Sequence, residues 1–174
     1  EKGSRVFGID AVNEFDDLTD DIYDYCEILK IGVDTLVHES GPSQIEINLN
    51  HGDPLELADQ AFMFKRAVRQ VALKHGIHAT FMSKPYQGHP GSSMHIHQNI
   101  ISTISNKNLF SDENGTNTPE FFHFIGGLQT YLPDAMLFFA PYVNSYRRFV
   151  IDASAPINTH WGFENRTVAF RIPT

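Results

Sequence analysis

Apolar side chains recur at helical spacing between Asp17 and Lys30. Leu18, Ile22, Cys26 and Leu29 fall on one side, and the acids lie outside. That spacing predicts an amphipathic helix, ended by Gly32. The period then shortens to two. Asp34 to Glu39 reads as extended. In Ser43 to Leu49, Ile45, Ile47 and Leu49 alternate with Gln44, Glu46 and Asn48, the pattern of a half-buried strand. Gly41-Pro42 separates the two strands. Asp53-Pro54 joins a capping residue to proline at the first helical position and predicts a second helix to about His75, closed by Gly76. Its expected core stripe is Ala58, Ala61, Phe62, Val68, Val71 and Ala72, with Lys65 as a polar interruption.

Further on, Ala79 to Lys84 is expected to be a short strand. The segment Gly91-Ser92-Ser93-Met94-His95-Ile96-His97-Gln98-Asn99 is expected to be another. Strand alternation would put His95, His97, Asn99 and Ile101 on one face and Met94, Ile96, Gln98 and Ile100 on the other. Asn106, Asn108 and Asp112-Glu113-Asn114-Gly115 carry turn chemistry. Thr118-Pro119 predicts a third helix to about Leu132, and Asp134 to Phe139 a short fourth one. Tyr142 to Asn165 lacks a regular pattern, but its aromatic and arginine content argues against disorder. Thr167 to Ile172 reads as a closing strand.

The chemistry concentrates in three places. The His95/His97 pair fits metal ligation, since neutral imidazole is the commonest protein metal ligand. It fits equally the solvated face of an edge strand. A cupin-like barrel would need a carboxylate just after the pair, and Gln98 to Thr103 contains none. Glu39 and Glu46 lie in neighbouring extended segments, where carboxylate oxygens suit Mg²⁺ or Mn²⁺. Each would otherwise be a solvated strand glutamate. His95 is placed to complete a mixed shell, and His97 and Asn99 to touch phosphate oxygens or a metal-bound water. Arg147, Arg148, Arg166 and Arg171 crowd the last part of the chain. Arginine is suited to bidentate binding of carboxylate and phosphate. Arg171, between Phe170 and Ile172, is expected to need an anion. One of Arg147 and Arg148 is expected to be plain surface. Backbone N–H groups near Gly91 and Ser92 are candidates for orienting a substrate. With no Walker sequence, this constellation points to ATP-driven activation of a carboxylate.

Bulk properties narrow the choice. A 174-residue chain that is 41% hydrophobic has material for one core. A net charge of −8 without a basic run excludes a non-specific nucleic-acid partner. No apolar run is long enough to predict a membrane span. Lone Cys26 cannot form an intrachain disulfide, which fits a cytoplasmic setting.

In order and spacing, five motifs resemble the glutamine synthetase family. They are Thr35-Leu36-Val37-His38-Glu39-Ser40-Gly41-Pro42-Ser43-Gln44-Ile45-Glu46, Ala79-Thr80-Phe81-Met82-Ser83-Lys84-Pro85, Gly91-Ser92-Ser93-Met94-His95-Ile96-His97, Asn144-Ser145-Tyr146-Arg147-Arg148 and Asn165-Arg166-Thr167-Val168-Ala169-Phe170-Arg171-Ile172-Pro173. The resemblance implies an α+β fold with a largely antiparallel curved sheet and flanking helices. It implies joining of L-glutamate to an amine through a γ-glutamyl phosphate made from ATP, with paired Mg²⁺ or Mn²⁺. By resemblance, Glu39, Glu46 and His95 are metal ligands and His97 contacts phosphate. Gly91 meets the glutamate substrate through its backbone, and Arg148 binds its α-carboxylate. Arg166 and Arg171 handle the transferred phosphate and ATP.

Two departures bear on the substrates, Pro90 on the side-chain contact with glutamate and Ser154 on the amine. Ordinary members carry an asparagine where Pro90 stands, and a flap glutamate before Ala-Pro where Ser154 stands. Losing that carboxylate removes the feature that suits ammonium and leaves room for a larger amine. Ser154-Ala155-Pro156-Ile157-Asn158, Trp161-Gly162-Phe163-Glu164-Asn165-Arg166-Thr167 and Ala11-Val12-Asn13-Glu14-Phe15-Asp16 resemble the γ-glutamylputrescine branch. The expected acceptor is therefore putrescine, with ammonia as the alternative. A non-catalytic metal- or nucleotide-binding relative is a further alternative. Residues 1–174 are expected to be the central part of the catalytic domain, without the N-terminal β-grasp-type domain, the C-terminal remainder and the homo-oligomeric ring of the whole protein. Alone they are expected to be inactive.

Overall fold

The structure is a computed structural model that describes residues 13–151 and 155–173. The chain divides into two compact units between Ser92 and Ser93.

In the first unit, helix α1 (Asp16–Ile28) precedes strands β1 (Val33–His38) and β2 (Ile45–Leu49), which pair antiparallel, and helix α2 (Pro54–Lys74) follows. The apolar spacing of α1 and α2 accounts for the core. Ile22, Cys26, Ile31, Phe64 and Val71 form its centre, with Leu18, Val33, Ile47, Leu49, Val68 and Phe81 packed around it. Val71 is 0% exposed and Cys26 1%. Burial pushes the Cys26 thiol up from its ordinary pKa. The start of α2 is the cap expected from Asp53-Pro54: Asp53 Oδ1 accepts from Leu55 N–H at 3.0 Å and Glu56 N–H at 3.3 Å. Gly76 follows at φ +70°, a left-handed conformation that costs glycine little. Lys74 Nζ donates to Tyr25 Oη, and His75 Nε2 lies 2.9 Å from Asp21 Oδ2, so two polar ties join α1 to the end of α2.

Two expectations for this unit are corrected. Phe62 is 71% exposed, and Phe64 (8% exposed) and Ala67 take the inward positions instead. Ala58 is exposed as well. Apolar residues lie all around this helix, so the stripe is set by what α1 and the hairpin offer, not by periodicity alone. Ala79 to Lys84 joins no ladder among the described residues. It packs through Phe81, whose ring meets Phe64 edge-on at 6.3 Å.

In the second unit, helix α3 (Pro119–Phe139) is followed by a 3₁₀ turn (Val143–Arg148) and strands β3 (Trp161–Phe163) and β4 (Phe170–Ile172). Thr118 caps α3, its Oγ1 accepting from Phe121 N–H at 3.3 Å. The two expected helices are one. Pro133 removes a single backbone donor, and its flanks, rich in leucine, alanine and methionine, carry the helix across that loss. Phe110, Phe121, Phe122, Trp161 and Phe163 form an edge-on aromatic cluster that binds α3 to β3. Gln129 Nε2 donates to Thr159 O at 2.8 Å and pins the irregular segment to the helix.

The histidine segment is not a laddered strand. Its start is tied by the Ser92 N–H to Ser83 O bond (2.9 Å) and by Gln44, and the Leu109 N–H to Ile100 O bond (2.8 Å) and the Ile101–Asn108 bridge follow it, but between Ser93 and Asn99 no strand pairing is present among the described residues. Its expected greased face is open: Met94 and Ile96 are both more than half exposed. Alternation selects faces but does not supply a neighbouring strand. The α+β architecture is present. Among the described residues, β1–β2 pair antiparallel, the isolated bridges Ile101–Asn108 and Ser111–Asn117 are antiparallel too, and β3–β4 pair in parallel.

Phe64→Ala is expected to cost about 3–5 kcal/mol, and Phe62→Ala no more than about 0.5 kcal/mol, from urea unfolding midpoints. Equal losses would show that the inward stripe is misassigned. A second test concerns acid. The Asp112 carboxyl is held below its ordinary pKa, chiefly by the Thr116 N–H and then by Asn114. A lowered folded-state pKa stabilises the turn above the ordinary aspartate range, and the effect fades as pH falls through the folded value. The Asn114 and Thr116 amide resonances should therefore move at a pH below the ordinary aspartate range. In Asp112→Asn, which keeps an acceptor but does not titrate, they should stay flat.

Candidate active site

The β1–β2 register builds the first half of the site. Val37 lies opposite Glu46, His38 opposite Ile45 and Leu36 opposite Ile47. Glu39 N–H donates to Gln44 O at 2.8 Å, which extends the same pairing by one step. Because strand side chains alternate, Val37, Glu39, Gln44 and Glu46 share one face. Ile47, on the other, enters the core. An Asn48 Nδ2 to Thr35 Oγ1 bond of 2.9 Å continues the polar face. The placement of Glu39 and Glu46 on one side is thus a consequence of burying the hairpin's apolar side.

Both glutamates are half-buried. Glu39 Oε2 accepts from Ser40 N–H at 3.1 Å and Ser40 Oγ at 3.2 Å. The Glu46 carboxylate has no hydrogen bond or ion pair among the described residues. Two acidic groups on one half-buried face are the donor chemistry a hard divalent cation takes. Among the described residues, no three His, Cys, Asp or Glu side chains come together as a ligand set. His38, beside Glu39 but facing the other way, is 3% exposed, and its Nδ1 has no partner among the described residues.

Gln44 joins this face to Gly91. Its Oε1 accepts from Gly41 N–H at 2.8 Å. Its Nε2 donates to Gly91 O at 3.1 Å and to Ser92 Oγ at 3.3 Å. Ser92 N–H donates to Ser83 O at 2.9 Å. The expectation that Ser92 N–H is available to a substrate is therefore corrected: Ser83 occupies it. Gly91 N–H has no partner among the described residues. Sequence reasoning placed Gln44 on the face of Glu46 but missed this tie. Its acceptors lie 47 and 48 residues away, and no local pattern announces them.

The second unit carries the remaining candidates. His95, His97 and Asn99 lie along the exposed extended segment, and Ser93 Oγ is 3.5 Å from His95 Nε2. Arg148 ends the 3₁₀ turn half-buried, and desolvation lowers its pKa from the ordinary guanidinium value. Arg147 beside it is exposed. Arg166 sits in the β3–β4 loop. Asn165 Oδ1 shapes that loop by accepting from Thr167 N–H at 2.9 Å and Thr167 Oγ1 at 2.7 Å. Arg171 stands on β4 opposite Gly162 and is exposed, so its position requires no buried counter-ion, contrary to expectation. Ser154, Ala11 and Val12 lie outside the described residues.

Comparison with known proteins fixes the family. Residues 1–174 match the glutamine synthetase catalytic domain over their whole length. The chain belongs to that family. It is 44% identical over 173 residues to gamma-glutamylputrescine synthetase PuuA of Escherichia coli (strain K12), covering 98% of this chain and 36% of that protein. It is 43% identical over 136 residues to type-1 glutamine synthetase 2 of Dictyostelium discoideum, covering 77% and 26%. Among solved structures, apo GmaS without ligand matches with a TM-score of 0.83 and 31% identity, over 99% of this chain and 40% of that one. GmaS in an ADP complex matches at 0.80, also 31% identical, over 98% and 41%. The chain therefore spans well under half the length of these relatives. Among the described residues, no helix is long and apolar enough to cross a membrane.

If the Glu39/Glu46 face takes a divalent ion, Glu46→Gln is expected to weaken Mn²⁺ binding by roughly 10- to 100-fold, measured by titration calorimetry on the full-length protein. Unchanged affinity would remove Glu46 from the metal site.

Proposed function

We propose that residues 1–174 are the central part of the catalytic domain of an ATP-dependent ligase that joins L-glutamate to an amine. The observation that carries this reading is the shared face of Glu39 and Glu46, with Gly91 tied beside it, in a chain of the glutamine synthetase family. The nucleotide in the GmaS–ADP complex supports ATP as the co-substrate. The acceptor we assign is putrescine. The 44% identity to a gamma-glutamylputrescine synthetase and serine at position 154 support that assignment. Ammonia is the second reading, favoured by the 43% identity to a glutamine synthetase.

In this mechanism Arg148 binds the α-carboxylate of glutamate, and Gly91 orients it through its backbone. Partial desolvation sharpens the attraction of Arg148 for a carboxylate. Glu39, Glu46 and His95 would hold Mg²⁺ or Mn²⁺, which neutralises the charge of the ATP phosphates when bound. His97, Asn99, Arg166 and Arg171 contact the phosphate oxygens. The γ-carboxylate oxygen attacks the terminal phosphorus and ADP leaves. The amine nitrogen then attacks the acyl carbon, loses a proton, and inorganic phosphate departs, leaving the γ-glutamyl amide. A homo-oligomeric ring in the cytoplasm is part of the same proposal.

The test is phosphate release by the full-length protein with glutamate, ATP and either amine. Putrescine is expected to exceed ammonia in kcat/KM by roughly tenfold or more. A wide margin for ammonia would overturn the assignment of Ser154. No turnover with any amine would favour a non-catalytic relative.

A further inference from the structure

Two polar groups of one peptide bond are held from opposite directions. The Gly91–Ser92 peptide has its carbonyl bound by Gln44 Nε2 at 3.1 Å and its N–H bound by Ser83 O at 2.9 Å. Gln44 is itself fixed at its other end by Gly41 N–H at 2.8 Å, within the turn between the two glutamate-bearing segments. Both ends of one side-chain amide are thus used, one on the hairpin and one on the loop that ends at Ser92. The approach is close: a Cβ built on Gly41 would lie 2.6 Å from Gln44 Oε1 and 3.2 Å from its Cβ. The loop itself is closed at its base by the Ser83–Ser92 bond and braced by Lys84 Nζ, which donates to His89 O at 2.5 Å.

We propose that Gln44 is a positioning residue, a clamp that locks the Gly91 backbone to the face carrying Glu39 and Glu46. The substrate-orienting glycine and the two carboxylates then keep one geometry. The proposal rests on the ligase reading for its kinetic consequence, while the clamp itself has an independent readout. Glycine is otherwise the residue least able to hold a direction, because its backbone populates many conformations. Proline at position 90 fixes its own φ but has no N–H with which to anchor the turn. The amide of Gln44 supplies that anchor, and small errors in reactant placement cost large factors in rate.

The test uses Gln44→Leu, which keeps the bulk and removes both polar ends, in the full-length protein. Hydrogen exchange of the Ser92 amide is expected to speed up by roughly tenfold or more. KM for glutamate should rise by about tenfold, while KM for ATP stays within about twofold. Should Gln44→Leu fail to fold, Gly41→Ala carries the test. It leaves Gln44 in place but displaces its Oε1, and the same exchange and KM pattern is expected. Unchanged Ser92 exchange overturns the clamp. So does an equal rise in both KM values, which marks general loosening. A wild-type protein without ligase turnover would sink the functional reading, and the exchange result alone would then decide whether Gln44 holds the loop.

Discussion

The β1–β2 register governs the rest of the first unit. Pairing Val37 with Glu46 and Leu36 with Ile47 sends Ile47 and Leu49 into a core built from α1 and α2. It leaves Glu39, Gln44 and Glu46 together on the opposite side. A slip of one residue would turn the carboxylates inward, where unpaired charge is costly, and the isoleucines outward. Stability and site geometry are therefore specified by the same hydrophobic contacts. The burial of Val71 and Cys26 bears on the site through that register.

Charge follows the same logic. The two glutamates and Arg148 are half-buried, while Arg166 and Arg171 are exposed. A partly desolvated guanidinium gains more from an incoming carboxylate than an exposed one does. Arg166 and Arg171 are exposed, which in the proposed ligase suits them to a larger, more highly charged group whose own hydration is harder to strip. Under the proposed ligase reading, that difference in burial assigns the carboxylate to Arg148 and the polyphosphate to Arg166 and Arg171.

Much of this was legible in the residues. The alternation of Ile45, Ile47 and Leu49 gave the second strand and its faces. Asp53-Pro54 gave a helix start that the capping bonds bear out. What failed was non-local. Phe62 and Phe64 are both plausible core residues on a helix that is apolar on several sides, and only the neighbouring elements decide between them. The extended pattern after Gly91 carries no information about which segment, if any, lies alongside. Pro133 reads as a breaker because one lost bond is visible locally, whereas the helix formers on both sides act together. The family resemblance named the candidate ligands. It included Gln44 in a motif but gave it no role, because that role depends on a partner 47 residues away.

The short parallel pair at the end of the chain has a mechanical implication. Parallel neighbours ordinarily need a long return path. Here residues 164–169 must climb back past β3 and re-enter in the same direction, and Glu164 N–H meets Ile172 O at 2.9 Å to close the span. Arg166 lies within this return and Arg171 on the strand that ends it, so one short element carries both exposed guanidinium groups.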